Sequence, residues 1–223
     1  MPFLFNQWFP NIPHMAKYAL GCLGIIVIGF IILLIGGCSS YNGLVGLSQD
    51  VDSKWADVQT QYQRRADLIP NLVNTVSGAA NFEKSTLVEI TQARASVGQV
   101  KLDPSKAPTD PQQLQQFEAA QNQLGGALSR LLVVSERYPD LQANTNFRDL
   151  QAELEGTENR IAVARRNFNE STQAYDTAIR RIPAVFYAAA MGFQAKPYFA
   201  AAPGDDKAPA VNFNFGATPA PAQ

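Results

Sequence analysis

The 223 residues suit one domain of ordinary size plus attachments, since about 100 to 200 residues make a typical domain. Hydrophobic residues make up 46% and charged residues 17%, and the net charge of -1 excludes the basic balance that a nucleic-acid binder needs. Cys22 and Cys38 lie in or beside one apolar run; the only histidine, His14, precedes it, so the chain beyond can form no intramolecular disulfide and offers no soft metal ligand.

Residues 1 to 17 form a short N-terminal segment. Residues 18 to 37 carry no charge, and 20 such residues suffice to cross about 30 Å of hydrocarbon as a helix. Lys17 precedes the run and the next basic residue is Lys54, so the positive-inside rule puts the N-terminus in the cytoplasm. A second reading stays open. Ile35-Gly36-Gly37-Cys38 has the pattern of a bacterial lipobox, and a start at Met15 would leave Lys17 as the charged region of a lipoprotein signal. Cys38 is then either the lipidated residue or a small apolar residue closing a span. Both readings tether the rest of the chain outside the cytoplasm, through a single inner-membrane pass or a lipid.

The first helix follows from Val51, Trp55, Val58, Tyr62, Ile69, Leu72 and Val76, which recur four and three apart. Arg65 falls on that stripe, Pro70 should kink the helix, and Gly78 should stop it. A second helix runs through Leu87, Ile90 and Val97 to about Gly98, before a loop holding Pro104 and Pro108. Asp110-Pro111 reads as an N-cap and first helical residue, opening a third helix with Leu114, Phe117, Leu124, Leu128 and Leu131 inward; Gln121 interrupts it. Its glutamine-rich stretch, residues 112 to 123, reads as a solvated face. Tyr138-Pro139-Asp140 ends this helix.

In the fourth helix Phe147, Leu154, Ile161, Phe168, Tyr175 and Ile182 recur every seven residues, with Leu150, Thr157, Ala164, Ser171 and Ala178 filling the second seam. Such a repeat predicts a supercoiled helix packed along its length. The fold class expected is all-α, an antiparallel four-helix bundle over residues 38 to 200 tethered by the N-terminal transmembrane or signal segment. Val185, Phe186, Tyr187, Met191 and Phe193 lie in a stretch too short to span a bilayer, which either packs on the bundle or lies on the membrane surface. Residues 201 to 223, rich in alanine and proline, read as a disordered tail.

No catalytic residue emerges. A di-iron bundle site needs Glu-x-x-His pairs, and neither histidine nor an inward acid cluster is available, since Asp149, Glu153 and Glu155 avoid the Phe147 seam. Serine and threonine lack a His or Cys partner. The unusual constellation is Arg64, Arg65 and Asp67, charge amid an apolar face: either an internal ion pair, with Glu158 the first-choice partner of Arg65, or a partner-binding site.

Tyr41-Asn42, residues 64 to 73 (RRADLIPNLV), Ala93-Arg94, Tyr138-Pro139-Asp140-Leu141 and residues 154 to 161 (LEGTENRI) together resemble the LemA family. The resemblance implies a bacterial, envelope-anchored four-helix bundle, and it supplies no catalytic residue. It also implies association with membrane metalloproteases, and so an adaptor role. Family members often carry a histidine just before the glutamate corresponding to Glu83, where this chain has Asn81-Phe82, which puts any metal role of that position in doubt.

The reading is therefore a non-catalytic, cofactor-free membrane-anchored scaffold or adaptor with envelope proteins as partners. The alternative is a small-ligand sensor or carrier with a polar pocket near residues 64 to 67. A chain of residues 41 to 200 is expected to be strongly helical and to keep its melting temperature in chelator; a large drop on adding EDTA would reveal a structural metal.

Overall fold

The computed structural model describes residues 14 to 79 and 82 to 200; the tail 201 to 223, residues 1 to 13, Ala80 and Asn81 lie outside the described residues. The described chain is all-helical, without a strand: α1 (His14–Ser77), α2 (Lys84–Gln99), α3 (Pro111–Ser135), α4 (Pro139–Ala143), α5 (Thr145–Ile179) and a 3-10 turn at Ala184–Phe186.

The expected span and first helix prove to be one helix of 64 residues. Nothing between Cys38 and Val51 can stop it, because there is no proline, and Gly43 and Gly46 weaken a helix by only about 1 kcal/mol each. Its first part has a mean hydropathy of 2.5 with nothing packed over it among the described residues, long and apolar enough to cross a membrane. From Leu44 onward it becomes a core helix, and Val51, Trp55, Val58, Tyr62, Ile69, Leu72 and Val76 are all buried.

Pro70 does not end α1. Proline has no N–H to give to the carbonyl four residues back, which here belongs to Ala66. Arg94 on α2 supplies the missing donor: its Nε lies 3.3 Å from the Ala66 oxygen. The interruption in α1 thus becomes a tie to α2.

Asp110 caps α3, accepting from the Gln112 N–H at 2.8 Å, with Pro111 at the first helical position. Asn144 caps α5 in the same way, accepting from Phe147. Between these helices the chain makes one short extra helix, α4, because Pro139 also suits the first turn of a new helix. Ser171 on α5 donates to Asp50 on α1 at 2.6 Å, and Arg65 meets Glu158, so these two helices pass in opposite directions. The seven-residue stripe of α5 is buried from Phe147 to Tyr175. Ile182 departs from it: α5 ends at Ile179 and the Ile182 side chain is 78% exposed. The reason is local, since Pro183 disfavours helical backbone at the residue before it.

The core falls into two large clusters. The one farther from the apolar start of α1 joins Leu68, Ile69, Leu72 and Val76 to Ile90, Leu124, Leu131, Phe147 and Leu154. The proximal one joins Val51, Trp55, Val58 and Tyr62 to Leu114, Phe117, Ile161, Phe168, Tyr175 and Phe199. A small third cluster at the base holds Leu44, Ala184 and Ala188.

If Arg94 completes the helix at Pro70, Arg94→Ala should cost about 0.5 to 1.5 kcal/mol in urea unfolding. In a Pro70→Ala background the restored main-chain N–H serves Ala66, and the same substitution should cost almost nothing. Strictly additive losses would contradict the coupling.

Candidate functional site

Residue 65 is reached by the same four-and-three count that buries Tyr62 and Ile69, so a guanidinium is carried into the core; Arg65 is 3% exposed. An unpaired charge there would be destabilising by several kcal/mol, and groups on α1, α3 and α5 answer it. Nη1 donates to Glu158 Oε1 on α5 at 2.6 Å. Nη2 donates to both the backbone oxygen of Gln121 on α3, at 3.2 Å, and its side-chain oxygen. The guanidinium also lies over the Tyr62 ring, 5.1 Å from its centroid. Nε has no hydrogen-bond partner among the described residues. Thr157, fully buried beside Glu158, turns its hydroxyl back onto the Glu153 carbonyl at 2.7 Å. The two interruptions in otherwise apolar stripes, Arg65 and Gln121, are therefore partners, and their layer lies between the two core clusters.

The other residues of the constellation sit outside this layer. Arg64 pairs with Glu153 on the surface. Asp67 is exposed and accepts from Gln63 at 2.8 Å, so it takes no part in holding Arg65. Two residues along a helix is about 200°, which turns Asp67 away from Arg65. A cavity of about 240 Å³ close by is lined by Leu72, Gly125, Leu128, Ser129, Leu132, Leu154, Glu155 and Glu158. It is mostly apolar, with Ser129, Glu155 and Glu158 as its polar lining, and Arg65 does not line it.

A second charged tie joins α3 and α5 about one to two helical turns nearer the apolar start of α1. Arg165 meets Glu118 at 2.7 Å, both largely buried, and covers the Phe199 ring at 4.7 Å. Burial pushes the Glu118 carboxyl above its ordinary range, with Arg165 opposing. Burial likewise raises the Tyr62 hydroxyl, against the pull of Arg165 and Arg65.

Sequence reasoning missed the strap of residues 193 to 200, which runs back along α5 without regular structure. Phe199 enters the proximal core against Trp55 and Phe168, while its N–H and carbonyl are both held by Asn169. Lys196, 7% exposed, reaches Asp52 at 2.8 Å, and Asp176 accepts from the Lys196 N–H and the Tyr198 hydroxyl. Pro197-Tyr198-Phe199, aromatic but without helical spacing, was the available signal. At the base, Val185, Phe186 and Met191 are exposed, whereas Tyr187 and Phe193 pack on α1. Cys38 is exposed on α1.

The model of the LemA family matches residues 54 to 213, most of the chain. The chain belongs to the LemA family. Among curated proteins it is similar to magnetosome protein MamQ of Magnetospirillum gryphiswaldense, 27% identical over 82% of this chain and 73% of that relative. It is also similar to magnetosome protein MamQ 2 of Paramagnetospirillum magneticum, 26% identical over 81% and 71%. Protein LemA of Metamycoplasma hominis is 25% identical over 76% of each chain. In this LemA-family chain, three of the five segments that carried the resemblance meet in space. Residues 64 to 70 of α1, Arg94 of α2 and Glu158 of α5 converge around the Arg65 layer and the Pro70 tie.

The two ion pairs on α1 should differ sharply. Glu158→Ala strands a guanidinium whose side chain is 4% exposed, and should destabilise by about 3 kcal/mol in denaturant unfolding. Glu153→Ala strands Arg64, 54% exposed, and should cost no more than about 1 kcal/mol. Similar losses at the two positions would mean that the Arg65 layer does not hold the fold.

Proposed function

We propose that this chain is a non-catalytic scaffold of the bacterial envelope: an antiparallel helical bundle over residues 38 to 200, carried outside the cytoplasm by a membrane-spanning α1, that positions other envelope proteins. The observation that carries this reading is the continuity of α1. The helix that is apolar and uncovered near its start is, from Leu44, the central core helix of the folded part. A protein bound to α3 or α5 is then held at a fixed height and in a fixed orientation relative to α1, which a flexible tether would not achieve.

The polar groups support a structural rather than a chemical role. Arg65 binds Glu158 and Gln121, and Lys196 binds Asp52 and Asp176, so the buried charges are engaged within the fold. Among the described residues no three His, Cys, Asp or Glu side chains gather as a metal site. The relatives' names, LemA and magnetosome protein MamQ, specify no reaction. Partners are envelope proteins, membrane proteases among them. Cys38 offers a second anchoring route, lipidation after cleavage, which leaves the folded part on the same side of the membrane.

Topology and scaffolding can be tested together. In a chain with Cys22 and Cys38 replaced by serine, Glu155→Cys should react with an impermeant maleimide in intact spheroplasts. A requirement for permeabilisation would reverse the topology. A photo-crosslinking residue at Val163, exposed midway along α5, should give a discrete adduct with a second envelope protein. Absence of adducts there and at the exposed Val88 and Val133 would remove the scaffold reading.

A further inference from the structure

Most exposed large apolar side chains beyond the span are scattered singly, as on any protein surface: Val88, Val133, Val163. One group is not. Ile182, Val185, Phe186 and Met191 are 78%, 48%, 79% and 62% exposed within ten positions. They lie at the base, just past the end of α5. A concentration of this kind marks a surface made for an apolar partner.

The base is fixed to α1 at a definite height. The Tyr187 hydroxyl lies 2.7 Å from Ser40 Oγ, Phe193 packs edge-on against Tyr41 at 5.6 Å, and Leu44 is buried with Ala184 and Ala188. Ser40 and Leu44 are two and six residues past Cys38, hence about 3 and 9 Å along the helix axis from the end of the apolar run. The headgroup layer on one side of a bilayer is about 5 to 8 Å thick. The base therefore falls within that layer, where amphipathic rings such as those of Tyr41 and Tyr187 are favoured.

Charge agrees with depth. No charged residue occurs on α1 between Lys17 and Asp50, so nothing on that helix opposes the approach of the base to the bilayer. From residue 177 to 200 the chain has no acid, whereas Arg180 and Arg181 stand exposed where α5 ends. Basic residues beside outward apolar ones are the composition that binds an anionic lipid surface.

We infer that residues 180 to 193 form a foot inserted into the headgroup layer of an anionic bilayer, seating the folded part on the membrane that α1 crosses. The foot rests on the spanning reading of α1. Phe186 and Met191 enter the boundary with the acyl chains and the two arginines meet lipid phosphates. Two attachments, span and foot, then fix the tilt of α1, which a span alone leaves free.

The test uses the full chain reconstituted in phosphatidylglycerol-containing vesicles with doxyl groups near the headgroup. Phe186→Trp is read as the difference from the unsubstituted chain, with Val133→Trp, at the distal end of α3, as the solvent-exposed control. Tryptophan at 186 should be quenched by the doxyl lipid and protected from acrylamide; the control should behave oppositely. Acrylamide quenching as strong as the control's would overturn the foot. Protection from acrylamide without doxyl quenching would also overturn it, by showing a protein cover, either a second copy or residues 201 to 223. Doxyl quenching should weaken in vesicles of phosphatidylcholine alone, and equal quenching would remove the anionic headgroup from the assignment. A chain stripped from vesicles by alkaline carbonate overturns the spanning reading and the foot with it, whereas one that stays but exposes position 186 overturns the foot alone.

Discussion

On the spanning reading, α1 has to satisfy two surroundings with one uninterrupted set of backbone hydrogen bonds. In hydrocarbon a helix closes its own backbone and asks only for apolar side chains; in the folded part the same helix must offer a stripe that other helices can cover. The change occurs over residues 38 to 44, where exposed apolar side chains give way to the buried Leu44. Because the helix does not break there, the direction in which it leaves the apolar run sets the axis along which α5, the strap and the proximal core are laid down.

Along that axis the packing is divided by a polar layer. Arg65, Gln121, Thr157 and Glu158 come from α1, α3 and α5, and the apolar clusters lie on either side. Leu at these positions would have filled the space with no desolvation cost, so the layer is not a device for maximal stability. Its effect is on register. Sliding α5 by one turn along α1 would move Glu158 about 5 Å and leave a guanidinium stranded in apolar surroundings, which excludes shifted packings that an all-apolar seam would tolerate.

The same logic of compensation governs the irregular parts. Pro70 frees a carbonyl in the middle of α1, and Arg94 from α2 takes it. The strap has no regular structure of its own, so its backbone is held by side chains: Asn169 on both sides of Phe199, Asp176 on Lys196 and Arg165 on the Ala200 carbonyl. With Phe199 filling the proximal core against Trp55, those residues convert a stretch that could not fold alone into part of the packing.

Helix positions were legible in the sequence because periodicity, caps and prolines act within a few residues. The stripe of α1, the Asp110 cap, the start of α5 and the uncharged run all follow from local chemistry. The oddity of Arg65 and of Gln121 was legible for the same reason, each breaking a local pattern. Other features needed distance to be decided. That the span and the first helix are continuous depends on the absence of any stop signal between Cys38 and Val51 together with packing that begins at Leu44. That Gln121 answers Arg65, that Arg94 answers Pro70, and that Ile182 leaves the seam to join Phe186 at the base are matters of which helix lies beside which. Side chains 56 positions apart, as Arg65 and Gln121 are, can satisfy one another only after three helices have been brought together, and no spacing in a single segment encodes that contact.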